Sequence, residues 1–153
     1  LQYLNGNQNT ARAPNENYAR ELFELFTIGK GNFAGPGDYT NYTEDDVVEA
    51  AKVLTGWRAL RDSVDSKFYN QLHDTSTKSF SSAFGNKTIS NNGAEEYKDL
   101  INMILDQDET ALFVCRSIYR WFVYYEIDEQ TENNVIKPLA DNLEMVIMKL
   151  SPC

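Results

Sequence analysis

Apolar positions recur with the period of a helix along most of this chain, and the breaks fall where glycine, proline, asparagine and serine gather. Residues 15–29, NENYARELFELFTIG, carry the marks of a helix at both ends. Pro14 fixes its own backbone angle ahead of the first turn, Asn15 offers a side-chain oxygen to a first-turn amide, and Gly29 suits a left-handed stop. On a helical wheel Tyr18, Ala19, Leu22, Phe23, Leu25 and Phe26 share one broad face, while Asn17, Arg20, Glu21 and Glu24 form a narrow stripe opposite. That stripe reads in two ways. It is a solvated face knitted by side-chain pairs worth roughly 0.2–0.5 kcal/mol each, or it is a polar network buried under another part of the protein or lining a cleft. Charged helix faces are ordinarily solvated, which favours the first.

The lead-in, 1–14, is rich in Asn and Gln and reads as irregular, and 30–41, dense in glycine and proline, reads as a loop. A second helix then starts at Thr43, whose hydroxyl and the Asp46 carboxylate have capping-box spacing. Val47, Ala50, Ala51, Leu54 and Trp57 share one of its faces, and Gly56 weakens its end. Between 66 and 90 the helical period vanishes. Short strands are expected over 67–72, 78–84 and 87–89, with Gly85-Asn86 as a hairpin turn. Helical spacing returns at Tyr97, Leu100, Ile101 and Ile104, and again over 110–125, where Arg116, Ser117 and Arg120 are the only polar stripe. This last helix is expected to be central to the core. Ile136, Leu139, Leu143, Val146 and Leu150 alternate spacings of three and four, but Pro138 interrupts them, so a kinked or split helix packed on the domain is expected over a dimerising coil. The fold class that follows is mainly α: about five helices in a bundle-like arrangement around Tyr119, Phe122 and Trp57, with a small β-hairpin insertion around 66–90.

Length and composition fit that picture, since 153 residues with 42% hydrophobic and 12% aromatic content supply one core. Residues 1–153 are read as a single helical domain or as part of a larger one. The net charge is −9, from 23 acidic against 14 basic residues, with no Lys/Arg cluster to offset it. Nucleic acid and anionic membrane surfaces are therefore poor partners. The apolar run 110–125 is broken by Arg116 and Arg120 and falls short of the roughly 20 residues a membrane span needs. The chain begins at Leu1 rather than Met, and Leu1 to Leu4 are too short and uncharged for a signal peptide, so a piece of a longer protein is expected. Cys115 lies in an apolar helix, where a free thiol packs; Cys153 is the last residue, and nothing requires the two to pair.

His73 is the only histidine and is followed by Asp74. The pair is the obvious proton-transfer candidate, and with Glu21 or Glu24 it would hold a divalent metal ion or position a water. Adjacent side chains in an extended segment point opposite ways, however, so a structural turn anchor is the favoured reading. No GxGxxG, phosphate loop or CxxC is present, and no cofactor is expected. Asp38, Asn41, Glu44 and Asp45 miss the calcium-loop spacing. Tyr119, Trp121, Phe122, Tyr124 and Tyr125 would stack on sugar rings or form an interface if exposed; at helical spacing they are expected to be mostly core, with about a third exposed.

NENYARELFELFTIG, YTEDDVVEAAKVLTGW at 42–57, His73-Asp74, Lys78, Phe80 and LFVCRSIYRWFVYY at 112–125 resemble, in order and spacing, the bacterial family catalogued as domain of unknown function 1800. The resemblance runs from Asn5 to about Leu143, and NGNQNT at 5–10 is similar to versions found in Bacteroidetes. It implies a mainly helical fragment of a longer protein and an extracytoplasmic setting: periplasm, outer membrane or cell surface. It also implies a protein partner encoded by a neighbouring gene. Family-motif positions include Asn17, Arg20, Glu21, Glu24, Trp57, His73 and Asp74. Many relatives carry histidine where this chain has Phe26, so a mechanism needing that histidine is not expected here. Two functions follow. The preferred one is a non-catalytic helical module of an exported or cell-envelope protein, acting through protein or glycan contacts, with Asn17, Arg20 and Trp57 as binding residues. The alternative is a metal-dependent or acid/base hydrolase in which His73 and Asp74 work with Glu21 and Glu24, and Arg20 orients the carboxylates or an anionic substrate. The place of His73 relative to those carboxylates separates the two.

Overall fold

The computed structural model of the protein describes residues 6–60 and 65–150, with side chains described as far as 146. Five helical segments dominate it, as the periodicity requires. Helix α1 (Glu16–Glu21) runs directly into a π-helical turn (Leu22–Thr27); α2 is Glu44–Val53, α3 is Glu96–Leu105 and α4 is Asp108–Phe122. The fifth segment is α5 (Glu129–Thr131), a π-helical turn (Glu132–Ile136) and α6 (Lys137–Leu150) in succession. Three two-stranded antiparallel sheets complete the described residues: β1 (Phe33–Gly35) with β2 (Asp38–Tyr39), β3 (Trp57–Ala59) with β4 (Ser66–Phe68), and β5 (Lys78–Ser79) with β6 (Thr88–Ile89).

The expected caps are present. The Asn15 side chain accepts from the Asn17 amide, and Gly29 takes φ +64 at the stop, close against the Phe113 ring. The Thr43 hydroxyl accepts from the Asp46 amide at 3.2 Å while the Asp46 carboxylate accepts from the Thr43 amide at 2.8 Å. Asp46 is fully buried and also accepts from the Ser81 amide and hydroxyl, both at 2.7 Å, so one carboxylate caps α2 and ties the β excursion to it.

Several boundaries differ from the sequence reading. From Leu22 onward the chain changes to i→i+5 bonding, with the Ile28 amide donating to the Phe23 carbonyl at 3.0 Å. The wheel that placed Leu25 and Phe26 on the broad apolar face no longer applies, and both are 60% exposed. Trp57 leaves α2 altogether: the helix stops at Val53 and Trp57 opens β3. The strand expected over 67–72 ends at Phe68 and pairs with Trp57–Ala59, not within the excursion, and Asn70–Leu72 is a 3-10 turn. The strand expected over 78–84 keeps only Lys78–Ser79; Ser82–Phe84 is a 3-10 turn, after which Gly85 and Asn86 turn the chain into β6 with positive φ. The loop at 30–41 contains the β1–β2 hairpin.

The main core lies around Phe23, Tyr42 and Phe84, with Phe23 ring centroids 5.5 and 5.4 Å from the other two, closed by Val47, Ala50, Leu100 and Ile104. A separate, smaller cluster of Ala111, Cys115, Ile136 and Ala140 joins α4 to α6. Helix α4 is thus an edge helix: Tyr119 is half-buried and Phe122 is 78% exposed, so neither they nor the half-buried Trp57 form the centre. The residues that α4 buries against α6 are the small Ala111 and Cys115, with Leu112 and Tyr119 packed beside them, and its last turn is left uncovered. The π-helical turn precedes Pro138, which has no N–H to give, and the split segment turns Ile136 and Leu143 onto α4. Cys115 is a buried free thiol; Leu1 to Leu4, the Leu150 side chain and Cys153 lie outside the described residues. No helix among the described residues is long and apolar enough to cross a membrane.

A candidate site: a buried histidine network beside an aromatic cleft

His73 sits at the end of the 3-10 turn after β4, in extended backbone, with its side chain fully buried. Its Nε2 is 2.8 Å from Glu96 Oε1, and its Nδ1 is 3.0 Å from the Thr55 carbonyl oxygen. The Thr55 hydroxyl lies 3.1 Å from the same Nδ1, so both ring nitrogens have partners inside the protein. Lys78, also fully buried, donates from Nζ to Glu96 Oε2 at 2.6 Å and to the Asp74 carbonyl at 2.6 Å. The Asp74 carboxylate lies 3.8 Å from the same ammonium and accepts from the Ser76 amide and hydroxyl. Burial works against the Asp74 charge, but Ser76, Lys78 and Lys52 outweigh it and hold the carboxyl below its usual range. Thr55 closes the circuit: its hydroxyl donates to the Lys52 carbonyl and accepts from the Asp74 amide. No buried side-chain nitrogen or oxygen among the described residues lacks a partner.

The polar stripe of the first helix goes elsewhere. Arg20 makes a two-pronged pair with Glu44, at 2.9 Å from Nη1 to Oε2 and closer from Nη2 to Oε1. That guanidinium chiefly holds the Glu44 carboxyl below its usual range. Glu24 accepts from the Tyr42 hydroxyl at 2.5 Å and meets Lys30 at 3.2 Å; burial, then Glu24, pushes the Tyr42 phenol up. Glu21 is half-buried and Asn17 is exposed. The structure therefore brings His73 together with Asp74, Lys78, Thr55 and Glu96, while Arg20 and Glu24 meet the α2 region instead. Among the described residues no three His, Cys, Asp or Glu side chains gather as a metal-ligand set, and in the His73 network the cation's place beside Glu96 is taken by Lys78 and His73.

Sequence reasoning missed Glu96, although a signal existed: Glu96 stands four, seven and eight residues before the buried Leu100, Met103 and Ile104, on the same helix face. Its position matters because Thr55 lies two residues before Trp57 and Glu96 one before Tyr97, so the network grips the chain beside both rings. Gly56 intervenes with φ +91, where a Cβ would stand 3.0 to 3.1 Å from the Phe68 ring, the His73 Cβ and the Tyr69 carbonyl. Rings then pass outward in sequence: His73 to Phe68 at 5.1 Å, Phe68 to Trp57 at 5.4 Å, and Trp57 edge-on to Tyr97 at 5.7 Å. Trp57 and Tyr97 open onto a cleft of about 330 Å³, whose other walls are Tyr18 and Leu22 from the first helix, Leu54 after α2 and Ile101 from α3.

A second feature is the end of α4. Trp121, Phe122, Val123, Tyr124 and Tyr125 are each between 52% and 81% exposed, the reverse of the core placement expected for most of this cluster. Arg116, on the same helix, is committed to Glu132 and Glu109.

No curated protein and no solved structure matches the chain. The family described as "Protein of unknown function (DUF1800)" matches residues 1–150, and with nearly the whole chain inside that match, from the capped first helix to α6, the protein belongs to the DUF1800 family.

Proposed function

We propose that this chain is a non-catalytic helical module of an exported or cell-envelope protein and acts through contacts with a protein partner or a glycan. The observation that carries this reading is the run of exposed apolar rings at 121–125. Side chains of that size left in water favour a surface that another molecule covers. Glu126, Asp128 and Glu129 are exposed just beyond it, and the chain as a whole is at −9. The protein partner is thus one with apolar anchors and a basic rim, encoded by a neighbouring gene as the family resemblance suggests. The full-length protein should retain that separately purified partner on an affinity column. The Trp121→Ser, Phe122→Ser double variant should lose it with its thermal midpoint unchanged. Absence of binding by the parent, or full binding by the variant, overturns the protein-contact reading.

A hydrolase built on His73 and Asp74 with Glu21 and Glu24 has less support. Both nitrogens of His73 are engaged inside the protein, and Glu24 is paired with Tyr42 and Lys30. The network reads better as the support of Trp57 and Tyr97 than as a proton-transfer site.

A further inference from the structure

We infer that the cleft between the first helix, β3 and α3 is a binding site for a neutral hexopyranose ring. This concerns a different surface from the aromatic end of α4, and it gives a place and a chemistry to the glycan contact.

The cleft has the size of a small-ligand site, at the lower end of the usual ~300–1,000 Å³. Two features of its lining select the ligand. The first is the aromatic platform. Trp57 and Tyr97 meet at 87°, so one ring braces the other edge-on, and Tyr18 stands on the wall contributed by α1. Aromatic faces carry partial negative charge, and the axial C–H bonds on one face of a pyranose carry the complementary partial positive charge. The second feature is the polar content. Among the described residues the lining includes the hydroxyl-bearing Tyr18, Ser66 and Tyr97 and no charged residue. An aliphatic or aromatic anchor from a protein would fill the apolar walls and leave those hydroxyls unmatched. A sugar ring uses both, with a C–H face on the aromatic rings and hydroxyls at its edge. An anionic sugar would meet the −9 charge of the chain, so the neutral ring is the better occupant.

The platform is also preorganised, which a stacking site needs. Trp57 is held by pairing with Phe68 in the β3–β4 sheet and by the close approach at Gly56. Tyr97 follows Glu96, whose carboxylate is fixed by His73, Lys78 and the Asn92 amide. The buried ion network thereby serves as a positioning device for the two rings, with no contact to the ligand required.

The test uses the full chain as the single-tryptophan variant Trp121→Phe, in which Trp57 is the only indole. Its emission is followed while methyl β-glucopyranoside, methyl β-galactopyranoside, methyl α-mannopyranoside or methyl N-acetyl-β-glucosaminide is added, with N-acetylphenylalaninamide as the peptide-like comparator. A saturable change with at least one pyranoside is expected, weakened about tenfold by Tyr97→Ala. Ser66→Leu, which keeps both rings and removes one hydroxyl, should weaken it severalfold and serves if the first variant fails to fold. No response to any pyranoside, a response untouched by both variants, or a response to N-acetylphenylalaninamide alone overturns the inference. None of these results depends on Trp121 or on the protein partner, so the two readings fail separately.

Discussion

Replacing Glu96 by Gln removes the negative charge and one of the two acceptor oxygens that serve His73 Nε2, Lys78 Nζ and the Asn92 amide, and leaves the buried Lys78 and His73 side chains facing a neutral amide. Breaking a buried ion cluster by removing one partner costs about 3 to 5 kcal/mol, far more than the ~0.2–1 kcal/mol of an exposed pair. Urea unfolding of Glu96→Gln should therefore show a loss of that larger size. A loss near that of an exposed pair would mean that the network is not a structural support. A residue-scale pH effect comes from Glu132, whose carboxyl lies below its ordinary value of 4.5, chiefly because Arg116 donates to it. The folded state thus gives up this proton more readily than the unfolded chain. The stabilisation is complete above the ordinary carboxylate range and drains away as pH falls through the lower, folded value. In Arg116→Gln the thermal midpoint should be lower than the parent's at neutral pH, and the gap should close in acid, as read from melting curves between about pH 7 and pH 3. At this scale the sequence was partly legible. The caps at Asn15, Thr43 and Gly29 announced themselves by residue type. Glu96 did not, because a carboxylate in a helix's first turn is ordinarily solvated, and only its spacing to Leu100, Met103 and Ile104 marks it as inward.

At the scale of elements, helices were readable and their endings and sheet partners were not. The π-helical turn at Leu22–Thr27 is followed at once by Ile28 and Gly29, where the Phe113 ring and the Asn41 side chain meet the chain from further along the sequence. No local pattern could have placed Leu25 and Phe26 outward. The pairing of Trp57 with Phe68 likewise needs Gly56 to turn the chain out of α2, and a helical wheel carries no such turn. The Thr43–Asp46 cap allows a sharp prediction, because Asp46 serves α2 and Ser81 at once. Thr43→Ala should cost about 1 kcal/mol from the lost cap. It should also speed hydrogen exchange at the Ser81 amide, since the Asp46 carboxylate loses the hydroxyl that helps to fix it. Exchange at Ser81 unchanged would mean that the β excursion is held independently of the cap.

For the molecule as a whole, the mainly helical class was legible from periodicity alone, whereas the division into two cores was not. The aromatic density of 119–125 suggested the centre of the fold, yet the centre formed where Phe23, Tyr42 and Phe84 converge from three distant segments. Among the described residues the α4–α6 cluster buries Ala111, Cys115, Ile136 and Ala140, against fifteen residues in the main core. Its amides should therefore open at lower free energy. Native-state hydrogen exchange should find α6 less protected than α2 and α3, and equal protection would indicate a single cooperative unit.

The stretch just before the first helix, expected to be irregular, holds a 3-10 turn (Gly6–Gln8) and is firmly placed. Asn9 is fully buried, gives its side-chain amide to the Ala51 carbonyl and accepts from the Asn15 amide; the Asn7 side chain accepts from the Ala59 amide; and the Arg58 guanidinium reaches the Asn9 carbonyl. These partners lie 42 to 52 residues further along, Asn15 excepted. On a ribosome, then, residues 7 to 9 emerge well before the groups that seat them and must wait until β3 has left the tunnel. The earliest of these residues to be made are among the last to be placed, and whatever delays β3 also delays their seating.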